Sequence, residues 1–325
     1  MARKRYRILS LDGGGIRGLM TAIWLQRLEA QLPKPLHSYF DLVAGTSTGS
    51  ILACGVSRGF SAQKIVELYT ERGKEVFPSM GWRLLSRAGR LFSDGTSAPK
   101  YDGKGLEKVL KDIFKTSLFG SLKIKPTIVT SYDTFSRNPM VFKSSRETHK
   151  KLRVWEVCKA SASAPTYFPA HTLGLGGAEV PLIDGGVFAN NPTACAIAEG
   201  VRINKTSVGK GYDLSDFLVA SLGTGETTRP ITAENAKAWG ALEWAIPIVD
   251  VLFDGSADAM NYVASQLIEP DSYFRFQVPL DDAYDDMDNA DRTNINALTQ
   301  IAVSYIDSGP GKKQLETLAE RLQES

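Results

Sequence analysis

The chain has 325 residues, 43% of them hydrophobic and 23% charged, which is ample apolar content for one sizeable core. Its 38 Lys and Arg against 36 Asp and Glu leave a formal net charge of +2, which excludes a global electrostatic case for a nucleic-acid polymer as partner. No apolar run is long enough to span a bilayer, and the basic start Met1 to Arg7 leads into a short apolar stretch that already meets Asp12, so a signal peptide is not expected either.

Taken in chain order, Tyr6 to Leu11 is short and β-prone, and Asp12-Gly13-Gly14-Gly15-Ile16-Arg17-Gly18 follows it. Consecutive glycines there can aim several backbone N–H groups at one anion. Helical apolar spacing covers Leu19 to Leu32. The glycine run also fits G-x-G-x-x-G, but a dinucleotide site needs an acidic residue at the end of the second strand to hold the ribose. That strand, Leu42 to Ala44, ends instead in Gly45-Thr46-Ser47-Thr48-Gly49 and runs straight into a helix over Thr48 to Arg58.

A G-x-S-x-G segment between a strand and a helix is a nucleophile elbow, a tight turn that projects a serine hydroxyl into a cleft. The helix behind it favours the negative charge that develops during attack. The glycine run is therefore read as an oxyanion hole. Arg17 has three readings: it holds the loop in shape, meets a phosphate, or pairs with a surface carboxylate.

Ser61 caps a third helix over Ala62 to Gly73. Beyond it, Gly81 to Phe92 winds into a basic amphipathic helix at about 100° per residue, with Trp82, Leu84, Leu85, Ala88, Leu91 and Phe92 on one half and Arg83, Arg87 and Arg90 on the other. Such a helix suits a peripheral membrane contact through Trp82, Arg83, Arg87, Arg90 and Phe92, or a surface helix packed on the core. Further strands are predicted at Ile124 to Thr130, Met140 to Lys143, Leu182 to Ile183, Phe217 to Leu222 and Tyr273 to Val278. Further helices are predicted at Val154 to Ala162, Pro192 to Arg202, Ala233 to Ala245, Ala290 to Ile306 and Lys313 to Leu322. The βαβα opening predicts an α/β fold with a mostly parallel central sheet flanked by helices, and no repeat or linker divides the single domain expected over residues 1–325.

The elbow needs a base, and only three histidines exist. His37 precedes the second strand and should sit at the far end of the sheet from Ser47, and His149 follows a charged run and reads as solvated. His171 begins a predicted hairpin, Thr172 to Leu175 with Glu179 to Ile183, that brings it near Asp184. In Ile183-Asp184-Gly185-Gly186-Val187 a carboxylate ends a strand and two glycines open space around it. Whether His171 assists Asp184 is left open by the sequence. The three cysteines, Cys54, Cys158 and Cys195, read as small buried residues and not as a disulfide framework or metal site. The acidic tract Asp281 to Asp291 lacks the spacing of a calcium loop and reads as solvated.

Asp12 to Gly18, Gly45 to Gly49 and Asp184 to Gly186 stand in an order and spacing that resembles the patatin-like phospholipase family. Ala160-Ser161-Ala162-Ser163-Ala164-Pro165, Tyr167-Phe168-Pro169 and Asn190-Asn191-Pro192 add to the likeness, which covers Arg7 to Arg202; beyond that only Ser221-Leu222-Gly223-Thr224-Gly225 is similar. The resemblance implies a three-layer sandwich and a lipid acyl hydrolase of phospholipase A type with a Ser-Asp dyad. Ser47 is then the nucleophile, Asp184 the base, and the amides of Gly13, Gly14 and Gly15 the oxyanion hole. It implies a phospholipid substrate and no cofactor. An acyltransferase with the same dyad and a non-catalytic lipid-binding protein are the alternatives. Resemblance to compact bacterial members adds the expectation of a cytoplasmic anti-phage effector, activated by a cyclic nucleotide and bound peripherally to the membrane that it degrades.

Overall fold

The computed structural model describes residues 5–78, 99–206, 212–228, 230–245, 247–280 and 285–324. The basic amphipathic segment with Trp82, Arg83, Arg87, Arg90 and Phe92 lies outside these residues. Strands β1 (Tyr6–Leu11), β2 (Leu42–Thr46), β3 (Thr127–Asp133), β4 (Asn138–Lys143), β5 (His171–Leu175), β6 (Ala178–Asp184), β7 (Phe217–Leu222) and β8 (Tyr273–Phe276) form one sheet. Its centre is parallel, in the order β3-β2-β1-β7-β8. The β3 side turns antiparallel, where β4 and β6 pair with β3 and β5 pairs with β6. The expected mostly parallel α/β sheet is therefore present, with a mixed edge.

Central strands bury both faces, so their sequences are nearly continuous apolar runs. Successive side chains alternate between faces. Leu9 and Leu11 of β1 join a core with helix α1 (Gly18–Ala30), while Ile8 joins a second core with Ala196, Ile197 and Ala264. The first layer also takes helices α8 (Arg292–Asp307) and α9 (Gly311–Gln323), through Leu298, Ala302, Leu315 and Leu318. The opposite layer holds α6 (Thr193–Thr206) and α7 (Pro247–Leu267). A third apolar cluster packs α4 (Lys104–Phe114) and α5 (Val154–Ser161) against β3 and β6. Helices α2 (Thr48–Arg58) and α3 (Ala62–Val76) complete the set, and the Ser61 hydroxyl accepts from Lys64 N as an N-cap.

Three expectations are corrected. The single helix predicted over Ala233 to Ala245 is two short turns, Ala233–Ala238 and Ala241–Trp244, interrupted at Trp239-Gly240. His149 is 4% exposed and not solvated; its Nδ1 accepts from Lys143 N and its ring packs on Phe142. The latter part of the acidic tract is not a solvated loop, because Met287, Asp288 and Ala290 are buried and Lys100 pairs with Asp288.

The mixed edge positions the chemistry. β4 lies along one edge of β3 from Ile128 to Asp133, so β2 and β6 must share the other edge. Thr46 lies opposite Thr130, and Asp184 opposite the next residue, Ser131. The C-terminal ends of β2 and β6 therefore meet. The hairpin that returns β6 turns at Gly176-Gly177, where both residues have positive φ, of 60° and 87°, and Leu175 pairs with Ala178. Two successive left-handed residues make the tight turn whose twist matches the strands it joins.

Candidate active site

Ser47 caps α2 with φ 53° and ψ −124°, a conformation that a non-glycine residue holds only when its surroundings impose it. They do so here: Ser47 N donates to Ser161 Oγ at 2.8 Å, and the Ser47 carbonyl accepts from Ser50 N at 2.9 Å and Ser50 Oγ at 2.6 Å. The flanking glycines allow the turn to close. A Cβ on Gly49 would stand 2.1 Å from the Leu11 carbonyl oxygen, and one on Gly45 would stand 2.2 Å from that of Gly49. Helix α2 starts one residue after Ser47, so the positive end of its dipole lies next to the Ser47 hydroxyl.

Hydroxyl contacts lock the meeting of the strand ends. Thr46 Oγ1 is 2.6 Å from Thr130 Oγ1 and donates to the Ala189 carbonyl, also at 2.6 Å. Ser131 Oγ donates to Ile183 O at 2.7 Å, and Asp184 N donates to Ser163 O at 3.0 Å. Asp184 is fully buried. Its Oδ1 accepts from Gly186 N at 2.8 Å, while Oδ2 has no hydrogen-bond partner among the described residues. Burial pushes its pKa up to about 7; the nearby Ser47 hydroxyl and the Gly186 amide offset part of that rise. The Ser47 hydroxyl is close enough to the Asp184 carboxyl to lower its pKa, and no hydrogen bond joins the two side chains.

His171 stands apart from this pair. It pairs with Leu182 across the hairpin, its ring lies 6.0 Å from that of Trp155, and its Nε2 has no hydrogen-bond partner among the described residues. Burial, and then Lys159, lower its pKa to about 4. His37 lies before β2, near Lys123, at the opposite end of the sheet.

The glycine run approaches Ser47 from the end of β1. A Cβ on Gly13 would lie 3.1 Å from Ser47 Cβ and 2.1 Å from Asn190 Oδ1. Of the three amides expected in the oxyanion hole, that of Gly13 is already donated to the Asn190 carbonyl at 3.0 Å. An oxyanion would compete with that carbonyl for the same N–H. The amides of Gly14 and Gly15 have no acceptor among the described residues. Arg17 is 3% exposed; its Nε reaches the Gly14 carbonyl at 3.4 Å and Nη1 reaches Thr227 Oγ1 at 3.2 Å, so it braces the loop. Asp12 anchors the start of the loop through an ion pair of 2.7 Å with Arg275 on β8.

A cleft with predominantly apolar walls opens at Ser47. Gly15, Ile16, Ile51, Tyr69, Val76, Phe77, Leu106, Phe168, Phe253 and Met287 line it. The Tyr69 hydroxyl is occupied by Thr48 Oγ1 at 2.5 Å, which leaves the wall apolar there. The sequence reading gave no role to Ser161, Asn190, Thr224, Phe253, Arg275 or Met287. Thr224 carried a faint signal, because it follows a predicted strand, and the C-terminal edge of a parallel sheet is where ligands bind. Arg275 and Met287 carried none.

The profile of the patatin-like phospholipase family matches residues 9–197. Patatin-like protein 2 of Oryza sativa subsp. japonica is 30% identical over 97% of this chain and 87% of its own length. Patatin-like protein 1 of Arabidopsis thaliana is 30% identical over 95% and 83%, and patatin-04/09 of Solanum tuberosum 30% over 97% and 87%. Among solved structures, VipD from Legionella pneumophila covers 93% of this chain and 67% of its own, with a TM-score of 0.42 at 14% identity. The chain belongs to the patatin-like phospholipase family and is a lipid ester hydrolase.

Proposed function

We propose that this chain is a phospholipase A-type acyl hydrolase, one domain over residues 1–325, that works through a Ser47-Asp184 dyad. The observation that carries the reading is the buried Oδ2 of Asp184, without a hydrogen-bond partner among the described residues, where the β6 end meets the nucleophile elbow. A carboxylate in bulk water has too low a pKa to take a hydroxyl proton well. Burial raises the basicity of Asp184 into the range in which a general base works near neutral pH.

Ser47 Oγ attacks the ester carbonyl carbon as Asp184 takes its proton. The carbonyl electrons move onto oxygen, and the amides of Gly14 and Gly15 receive that oxyanion. On collapse the C–O bond to the leaving group breaks, and Asp184 gives its proton to the lysophospholipid alkoxide. Water then adds to the acyl-Ser47 ester, losing a proton to Asp184. The second collapse releases the fatty acid and returns the proton to Ser47. The apolar cleft beside Ser47 suits the acyl chain.

The test is product analysis on mixed phospholipids. The protein should release fatty acid and lysophospholipid, and Ser47→Ala and Asp184→Asn should each lower the rate by about 10³-fold or more in a folded protein. Retained hydrolysis in either variant would refute the dyad. Transfer to an added alcohol in place of release would favour the acyltransferase. Adding cyclic dinucleotides to the same assay tests the proposed activation of an anti-phage effector: a rise supports it, indifference refutes it. Peripheral membrane contact through Trp82, Arg83, Arg87, Arg90 and Phe92 predicts that changing the three arginines to Glu lowers activity on anionic vesicles and spares a soluble ester. Equal loss on both would refute it.

A further inference from the structure

Thr224 stands just beyond the C-terminal end of β7, on the other side of β1 from Ser47 and outside the residues matched by the family profile. It is 3% exposed, and its hydroxyl donates to the Gly13 carbonyl at 2.7 Å. The packing is close: a Cβ on Gly14 would lie 2.2 Å from Thr224 Oγ1. Asn190 Nδ2 reaches the same carbonyl at a longer 3.5 Å.

In a trans peptide the C=O and the following N–H point to opposite sides, so whatever fixes the Gly13 oxygen also fixes the direction of the Gly14 N–H. The next peptide is held in the same manner. The Gly14 oxygen accepts from Arg17 N at 3.2 Å and from Arg17 Nε at 3.4 Å, which sets the Gly15 N–H. The two amides without an acceptor among the described residues are thus those whose partner carbonyls are clamped. Glycine has no side chain to restrain its own peptide planes, so the orientation must come from outside the loop.

We propose that Thr224 is a positioning residue for ester hydrolysis, whose hydroxyl holds the Gly13-Gly14 peptide so that the Gly14 amide faces the developing oxyanion. The inference rests on the Ser47-Asp184 reading. Donors aimed in advance at the site of charge development act on the transition state more than on the bound ester. Loss of the clamp should therefore appear in kcat and leave KM nearly unchanged.

Two variants separate the hydroxyl from the shape. Thr224→Val keeps the volume and removes the donor; Thr224→Ser keeps the donor and removes a methyl. Both are assayed on a soluble short-chain ester and with a trifluoromethyl ketone of the same chain, which forms an oxyanion on the nucleophile. Thr224→Val should lower kcat about tenfold, leave KM within about twofold, and weaken ketone binding by about the same factor as kcat. Thr224→Ser should stay within about threefold of the parent in all three. Parent-like kcat and ketone affinity in Thr224→Val, or equal loss in both variants, would overturn the proposal. If Thr224→Val does not fold by circular dichroism, Thr224→Ala replaces it and must show the same loss confined to kcat. Ser47→Ala is measured alongside: if it stays active the nucleophile reading fails, whereas an inactive Ser47→Ala with a parent-like Thr224→Val sinks only the clamp.

Discussion

Residues 6–206 carry Ser47 at the cleft and Asp184, fully buried, on a neighbouring strand end, whereas residues 214–324 supply groups around the site that hold others in place. The first region supplies the atoms proposed to make and break bonds. The second supplies Thr224 on the Gly13 carbonyl, Arg275 on Asp12, the Met287 carbonyl on Ile16 N, and Phe253 in the cleft wall. A reacting group needs a particular chemistry at one point, while a holding group needs only a donor, a charge or a shape. The two regions should therefore fail differently when changed.

The largest contrast is expected at Asp184. Asp184→Asn should abolish turnover and yet stabilise the protein. The folded-state pKa of this carboxyl lies above its unfolded value of 3.8, so the folded state binds the extra proton between pH 4 and 7 and stability falls as pH rises through that window. Removing the charge should raise the thermal midpoint by about 4 °C or more at pH 8, and by less at pH 5. A lower midpoint at pH 8 would mean that the carboxylate is stabilised by something other than burial would allow.

Arg275→Met should act the other way, costing stability before chemistry. It leaves Asp12 buried and uncompensated, a change worth about 3–5 kcal/mol in comparable sites. Burial already raises the Asp12 pKa to about 6 despite Arg275, so the loss should be greater at pH 8 than at pH 5, where the carboxyl takes up a proton. Denaturant unfolding at the two pH values measures it. An equal loss at both would show that Arg275 contributes by packing and not by charge.

The same division explains how much was legible in the sequence. β1, α2 and β7 fall where apolar runs and turn residues put them, because central strands of a parallel sheet carry their burial in unbroken apolar runs. The elbow was readable because Gly45, Ser47 and Gly49 answer a local steric demand. Helix α7 was not read at all: it buries Val249, Phe253, Ala257 and Ala264 but leaves Ile248, Val251, Leu252, Tyr262 and Val263 exposed, so its apolar residues surround the axis and blur the period. The Asp12-Arg275 pair and the Thr224-Gly13 contact join residues more than 200 positions apart, and no local pattern encodes such a meeting. Nor does any local pattern reveal that the Gly13 N–H donates to the Asn190 carbonyl, 177 positions away.

The smallest effect is expected at His171. Its side chain sits against Trp155 and makes no hydrogen bond to Asp184, so His171→Ala should leave kcat within about twofold of the parent and the pH profile unmoved.

Labelling by a fluorophosphonate, read as the site and rate of modification from pH 5 to pH 9, tests the dyad most directly. Modification should fall on Ser47, rise with a single ionisation near pH 7, persist in His171→Ala and vanish in Asp184→Asn. Modification of another serine, or a profile that moves with His171 and ignores Asp184, would contradict it.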